Sequence, residues 1–445
     1  MRNKIIEESI LFVSVLKWIT LSSGIGFIVG GATAVFLKIL KAGITLSTQY
    51  HYYFILLPIG LFLSSLMVKY LAKEAGGYGT EKVIESIHKE SGKIHVAVIP
   101  VKLVATVMTA VVGGSVGQIG PCAQIGGGLA SLLAGFFKFD DNDRKKLVIC
   151  GISAGFSSVL GAPIAGAIFG VEVLFVGAIL YEVLLPSFIS GIIGYHTAAF
   201  LGTTHFHYNT IHFIPTFSEA FFLKIVIAGV FFGLCAILLI VTVHAIEGLF
   251  AKFRIWPPLK GIIGGTIMII LTFLFSIRYL GIGLDTIDEV LQGVQIVSYA
   301  FIMKTLFTAI TFASGGSGGI IAPILFIGAT SGSFLGDFMN LDRATFASIG
   351  FVSVLAGAAN TPIAMSILAI ELFGKEIGAY AAIACVISFL ITGHRSIFPT
   401  QIIAMKKSSS VEVDLGREMS QVKARFQRRR KSLVDKGLKV FGKKM

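Results

Sequence analysis

An all-α polytopic membrane protein is the fold class this sequence predicts, on three observations. Of the 445 residues, 55% are hydrophobic and 14% charged, with a mean hydropathy of +0.85. A soluble domain carries roughly 25% charged side chains, so a water-soluble fold would lack the polar surface to cover itself. Glycine contributes 51 residues, well above the roughly 7% of average usage, which suits membrane helices whose backbones approach closely. The apolar stretches are long and continuous, at about 10–40, 52–71, 99–137, 147–203, 218–250, 258–280, 297–336, 344–373 and 377–393. That excludes the short alternating strands of an outer-membrane barrel.

The elements follow in chain order. The start, MRNKIIEES, mixes acids with bases and lacks a following small-residue cleavage site, so no cleavable signal peptide is expected. Several later segments are cut by glycine clusters or proline into pieces shorter than the roughly 20 residues of a full span. Such pieces are tolerated at membrane depth only inside protein or beside a watery cavity, so they predict half-helices that meet at a site. Cys122, Cys150, Cys235 and Cys385 sit in apolar stretches without metal-like spacing and read as small core residues. His205, His207 and His212 fall in a link between two halves; no third fixed ligand accompanies the H-x-H pair, so a solvated loop and no metal site are expected. From Lys406 to Met445 the chain holds thirteen Lys/Arg and four Asp/Glu, the larger part of a total charge of +13. Without an apolar run or interleaved aromatics, this reads as a basic cytoplasmic tail on anionic headgroups rather than a nucleic-acid arm.

Internal similarity is the most informative pattern. Lys102–Gly126 and Lys304–Gly328 match at eleven of twenty-five positions at a constant offset of 202, among them Lys102/Lys304, Gly113/Gly315, Ser115/Ser317, Ile119/Ile321 and Pro121/Pro323. At offset 199 a second block follows in the same order, with Gly151/Gly350, Pro163/Pro362, Ile164/Ile363, Ala165/Ala364, Ile168/Ile367 and Glu172/Glu371. The chain therefore divides into membrane repeats at about 1–215 and 216–405, then the tail at 406–445. Repeats of this kind are often inverted, with a binding site at their interface near the midplane.

Each repeat carries GGS, a glycine-rich stretch, a proline and a new apolar helix, over Gly113–Pro121 and Gly315–Pro323; GGYGT at 76–80 is a third break. Such breaks leave unsatisfied N–H groups at a helix start that carries partial positive charge, which attracts an anion. A plain break for close packing would look the same at one loop, and recurrence in both halves favours the anion site. No nucleophile–base pair, phosphate loop or metalloprotease motif is present, so no enzyme is expected.

These loops resemble the CLC family of chloride channels and proton-coupled chloride transporters. The resemblance rests on Gly77–Thr80, GGSVGQIGP at 113–121, GAPIAG at 161–166, GGIIAP at 318–323, NTPIA at 360–364 and RSIFP at 395–399, spread over most of residues 20–400. It implies the CLC fold, two inverted-topology repeats of broken and tilted helices. It also implies a homodimer with one pathway per subunit, both termini cytoplasmic, and chloride where helix N-termini converge; the expected location is a prokaryotic inner or plasma membrane. The positions that match the family's anion site are Tyr78, Ile119, Gly120, Gly319, Ile320, Ile321 and Phe398. Lys102 matches a supporting charge, with helix-end snorkelling as its other reading. With about forty residues after Met405, the family's CBS domains are expected to be absent.

The departures decide the expected activity. In the family a glutamate usually precedes the Gly-Pro of the second motif, plugs the outer side of the pathway and carries protons; here that position is Ile119, beside Gln118. The inner proton-relay glutamate aligns with Val173, next to Glu172. Isoleucine and valine bind no protons, so the usual coupling apparatus is missing. The serine of the first motif is replaced by Tyr78, whose phenol could donate or simply pack, and the tyrosine near the C-terminus by Phe398. Losing one hydroxyl donor removes on the order of 1 kcal/mol of anion stabilisation, which favours rapid exit. The expectation is a passive chloride-selective channel or uniporter, open to other small monovalent anions, with chloride as permeant ion and no cofactor. The alternatives are a coupled anion/proton transporter using other acids such as Glu172 or Glu182, and a non-conducting scaffold working through the tail. Glu172 is an intramembrane carboxylate, yet its repetition as Glu371 favours a structural hydrogen-bond anchor.

Overall fold

The computed structural model describes residues 2–203, 218–422 and 425–426. The histidine cluster at 205–212 and the basic run at 428–431 lie outside them. Among the described residues sixteen α-helices carry the fold. The first eight are α1 (Arg2–Thr48), α2 (Leu57–Leu71), α3 (Thr80–Lys89), α4 (Val98–Val111), α5 (Ile119–Phe136), α6 (Asp141–Leu160), α7 (Pro163–Glu172) and α8 (Tyr181–Phe200). The second eight are α9 (Glu219–Lys252), α10 (Pro257–Leu274), α11 (Leu284–Leu291), α12 (Ala300–Ala313), α13 (Ile321–Phe338), α14 (Arg343–Ala359), α15 (Pro362–Phe373) and α16 (Lys375–Thr392).

The second set repeats the first, helix for helix, because the local signals repeat. Asp140 and Asp342 cap α6 and α14 by accepting from the amides of Asp143 and Thr345, both at 2.7 Å. Both helices end on a residue in the left-handed region, Gly161 and Asn360, and a proline then opens α7 and α15. Eight of the described helices are long and apolar enough to cross a membrane: α1, α2, α5, α8 and their counterparts α9, α10, α13, α16. α5 and α13 are the most enclosed, 72% and 83% buried against 33% for α2 and α10. Their glycines let neighbours in: a Cβ on Gly126 would stand 2.3 Å from the Gly151 carbonyl oxygen, and one on Gly328 2.4 Å from that of Gly350.

The repeats meet through reciprocal bonds. Gly117 N–H donates to Gly319 C=O at 2.6 Å and Gly319 N–H to Gly117 C=O at 2.8 Å, an antiparallel bridge. The amides of Ser115 and Ser317 donate to the hydroxyls of Thr311 and Thr109, at 3.1 and 3.2 Å. Exchange of equivalent residues is the mark of two-fold relation, and equivalent segments here run in opposite directions, as inverted repeats must.

Beyond Phe398 the chain folds back. β1 (Phe175–Val176) pairs in parallel with β2 (Ile402–Ile403), and β3 (Val411–Glu412) antiparallel with β4 (Arg425–Phe426). Val176, Ile403, Val413 and Met419 bury a small apolar cluster, and Glu418 pairs with Lys89 at 3.1 Å. The border at 405/406 thus runs through a folded segment. Lys407 lies inside it, donating to the Asn360 side-chain oxygen and the Phe389 carbonyl at 2.5 and 2.7 Å. Composition registers the charge of this stretch but not its pairing with residues in the first repeat.

Candidate functional site

The glycine breaks come together at one place. The Gly117–Gly319 bridge sets the starts of α5 and α13 side by side, so closely that a Cβ on Gly319 would lie 2.7 Å from the Gly120 nitrogen. The loop before α3 closes on the same residue: a Cβ on Gly120 would stand 2.3 Å from the Tyr78 carbonyl oxygen. That loop turns into α3 through Gly79, whose φ of +77° is strained for any other residue.

Pro121 and Pro323 have no N–H, and the opening helix turns close from Cys122 to the Gln118 carbonyl and from Ile324 to the Ile320 carbonyl, at 3.2 and 3.1 Å. The amides of Ile119, Gly120, Ile321 and Ala322 precede those bonds, at the positive ends of two helices. Ile119, Ile320 and Ile321 are 1%, 0% and 0% exposed. These donors therefore face protein or a bound anion rather than bulk water.

Lys102 is fully buried and donates to the carbonyls of Ala75 and Gly77, at 3.1 and 2.8 Å. It does not snorkel; its charge is held against the loop before α3. Ser317 donates to the same Ala75 carbonyl at 2.8 Å, joining that loop to the approach to α13. Thr80, the first residue of α3, is also fully buried, and its hydroxyl has no hydrogen-bond partner among the described residues. It is a donor that sequence reasoning missed.

Tyr78 is 3% exposed and both packs and donates. Its ring stands edge-on to Phe312, centroids 4.8 Å apart, and its phenol donates to Glu247 Oε1 on α9 at 2.5 Å. A phenol has one proton, so in this arrangement Tyr78 offers none to an anion. Glu247 lies inside the apolar run at 218–250 and is, like Glu172, an intramembrane carboxylate. Glu81, next to Thr80, is a second acid there. Removal from water pushes its carboxyl up to about 7; Lys82 opposes the rise, and the charges of Glu247 and Glu85 add to it.

Phe398 is fully buried in a loop held by Gln401, a residue sequence reasoning also missed. Gln401 Nε2 donates to the carbonyls of Val173 and Ala359 at 2.7 and 2.8 Å, and its Oε1 accepts from Ser396 and Asn360 at 2.6 and 3.1 Å. Every hydrogen-bonding position of the amide is used. Thr400 reaches the Glu81 carbonyl at 3.4 Å and ties this loop to α3. Val173 enters through its carbonyl, and its side chain is fully buried.

Three other acids, Glu172, Glu371 and Glu182, have partners of their own. Glu172 accepts from the amides of Ile363 and Ala364 at 3.0 and 2.7 Å, while Glu371 accepts from Ile164 and Ala165 at 3.0 and 2.8 Å. Each caps the short helix of the other repeat, the anchor role their repetition suggested. Glu182 is a solvent-facing partner of Lys146 at 2.8 Å.

Residues 60–393 match a family model described as voltage gated chloride channel. The chain is 32% identical over 408 residues to a chloride/fluoride channel protein of Pseudomonas syringae pv. tomato, spanning 90% of each. It is 28% identical over 315 residues to the voltage-gated ClC-type chloride channel ClcB of Shigella flexneri, spanning 68% of this chain and 74% of that relative. Among solved structures, a CLC-type fluoride/proton antiporter superposes with a TM-score of 0.84 at 26% identity, covering 88% of this chain and 99% of that one. A slow cyanobacterial Cl-/H+ antiporter superposes at 0.74 with 20% identity, over 84% and 94%, and bears on the fold alone.

Proposed function

We propose that this chain, which belongs to the voltage-gated chloride channel (CLC) family, is a passive pathway for a small halide, uncoupled from protons. Its transport of anions across a membrane is the family's common property. The observation that carries the finer reading is the pair Ile119 and Val173, buried apolar side chains at the two positions where the family resemblance calls for proton-carrying acids. Chloride is the expected permeant ion. Fluoride joins it, because the relative from Pseudomonas syringae is named for both. No resident cofactor, metal or enzymatic step is needed: backbone amides at the starts of α5 and α13 and the charge of Lys102 supply the attraction. We further read the chain as a homodimer with one pathway per subunit and cytoplasmic termini in a prokaryotic plasma membrane.

A coupled antiporter is the second reading, favoured by the fluoride/proton antiporter among the structural neighbours. Against it, Glu172 is committed to two backbone amides and Glu182 faces solvent in an ion pair. Purified protein in liposomes decides between them. Under an imposed chloride or fluoride gradient we expect anion efflux without uphill proton movement; stoichiometric proton pumping would refute the passive reading.

A further inference from the structure

We propose that Glu247 is a positioning residue of the anion route, holding the Tyr78 phenol so that this proton is withheld from the anion. The inference rests on the passive reading above and adds a regulator to the same site. Tyr78 is fixed at three points. Its carbonyl oxygen lies against Gly120 at the start of α5, its ring against Phe312 of α12, and its hydroxyl 2.5 Å from Glu247 of α9. The loop itself is held next door, where Lys102 takes the Gly77 carbonyl. The only part of this residue able to change partner is the phenol. A hydrogen bond to an ionised carboxylate is roughly twice as strong as one to a neutral acceptor, so protonation of Glu247 loosens the hold. It also removes a negative charge one tyrosine side chain away from the helix starts, which raises anion occupancy there.

The other titratable and charged groups on and around α9 are these. On α9, His244 stands three residues before Glu247, on the neighbouring turn, and Lys252 five residues after it, at the end of the helix. From α3 comes Glu81, whose titration Glu247 influences. Beyond it Lys82 and Lys89 pair with Glu85, and His88 bonds the Leu174 carbonyl. Lys304 of α12 is bound to the carbonyls of Tyr279 and Gly281, Lys260 of α10 to that of Phe250, and Arg395 after α16 to that of Thr392. On α13 and α14, Asp337 and Arg343 pair with each other, and Asp342 caps its own helix. Lys375 and Glu376 open α16 at its first turn. Glu247 and Glu81 are thus the two acids facing Tyr78, and of them Glu247 makes the contact.

The test is chloride efflux from liposomes holding the full chain, recorded between pH 5 and 8. Efflux should rise as pH falls. Glu247→Gln should raise efflux at pH 7 by roughly three- to tenfold, the scale of one charge acting at partial screening, and flatten the pH profile. Tyr78→Phe, which removes the donor and leaves the carboxylate, should blunt the profile, and the double variant should not multiply the two effects. Glu247→Asp, which keeps the charge, should keep the profile and covers the case in which the glutamine variant misfolds. A pH profile shared by the parent and Glu247→Gln, or independent multiplication of the two effects, overturns the inference. Uphill proton movement in the parent chain, read by a pH dye in the same vesicles, would instead sink the passive reading and leave this test intact.

Discussion

In the first repeat Lys102 holds the carbonyls of Ala75 and Gly77; in the second, Lys304 holds those of Tyr279 and Gly281, at 3.2 and 2.8 Å. Both loops pass through a pair of glycines at positive φ, Gly77 and Gly79 against Gly281 and Gly283. What fills them differs. A Cβ on Gly79 would strike the Gly120 carbonyl at 2.6 Å, whereas one on Gly283 would strike the ring of Phe326 at 2.7 Å. Where the second repeat has Phe326 under the Lys304 ammonium, 5.0 Å from the ring centroid, the first has Gln124 bonded to the Glu74 carbonyl at 2.7 Å. Tyr78 with its tie to Glu247 is answered by the buried aliphatic Ile282. One scaffold is thus used twice, once opened towards the helix starts and once sealed by packing. A buried lysine clamp is a structural device in both repeats, and the proposed function gives only the first of them a part in holding the anion.

Seven substitutions, in four sets, probe this difference. The largest effect is expected from Ile119→Glu, which restores an acid to the open side: efflux at pH 7 should fall about tenfold or more relative to the parent and recover on acidification as the carboxylate is neutralised. Efflux that ignores the substitution would mean the anion does not pass the start of α5. Next come the two lysines. Lys102→Met and Lys304→Met should each cost about 2–4 kcal/mol by stranding buried carbonyls, read as thermal unfolding in detergent. Only the first should cut efflux, by roughly tenfold; equal loss from both would erase the functional distinction between the loops. Gly120→Ala should cost about 1–3 kcal/mol by overpacking against the Tyr78 carbonyl and slow efflux, while Ala322→Gly at the equivalent place should cost about 1 kcal/mol or less. The smallest effect on efflux belongs to Glu172→Gln and Glu371→Gln, which should cost about 1–2 kcal/mol each from a weakened helix cap and keep efflux. A halted flux in Glu172→Gln alone would return that carboxylate to the transport mechanism.

Much of this was legible along the chain. The offset of 202 between Lys102–Gly126 and Lys304–Gly328 foretold a duplicated chain, and the eight matched helices on each side follow because repeated glycines, prolines and cap residues repeat the local structure. Glu172 and Glu371 announced their shared role by recurring. A third pairing is fainter: the G-x-G of 77–79 recurs at 281–283. It falls two positions out of register with the main block and carries few other identities. Thr80 and Gln401 were invisible for another reason, since their weight comes from burial and from partners in other elements.

Helix starts, helix stops, membrane residence and internal duplication are local or periodic properties, written in neighbouring residues, and they followed from the chain alone. Which carbonyls Lys102 grips, that Tyr78 gives its proton to Glu247, and that residues 398–422 fold back over the first repeat depended on contacts between segments far apart in the chain. Such contacts follow from the packing of rigid helices around a local two-fold. No composition, spacing or period encodes which side chain will meet which backbone there.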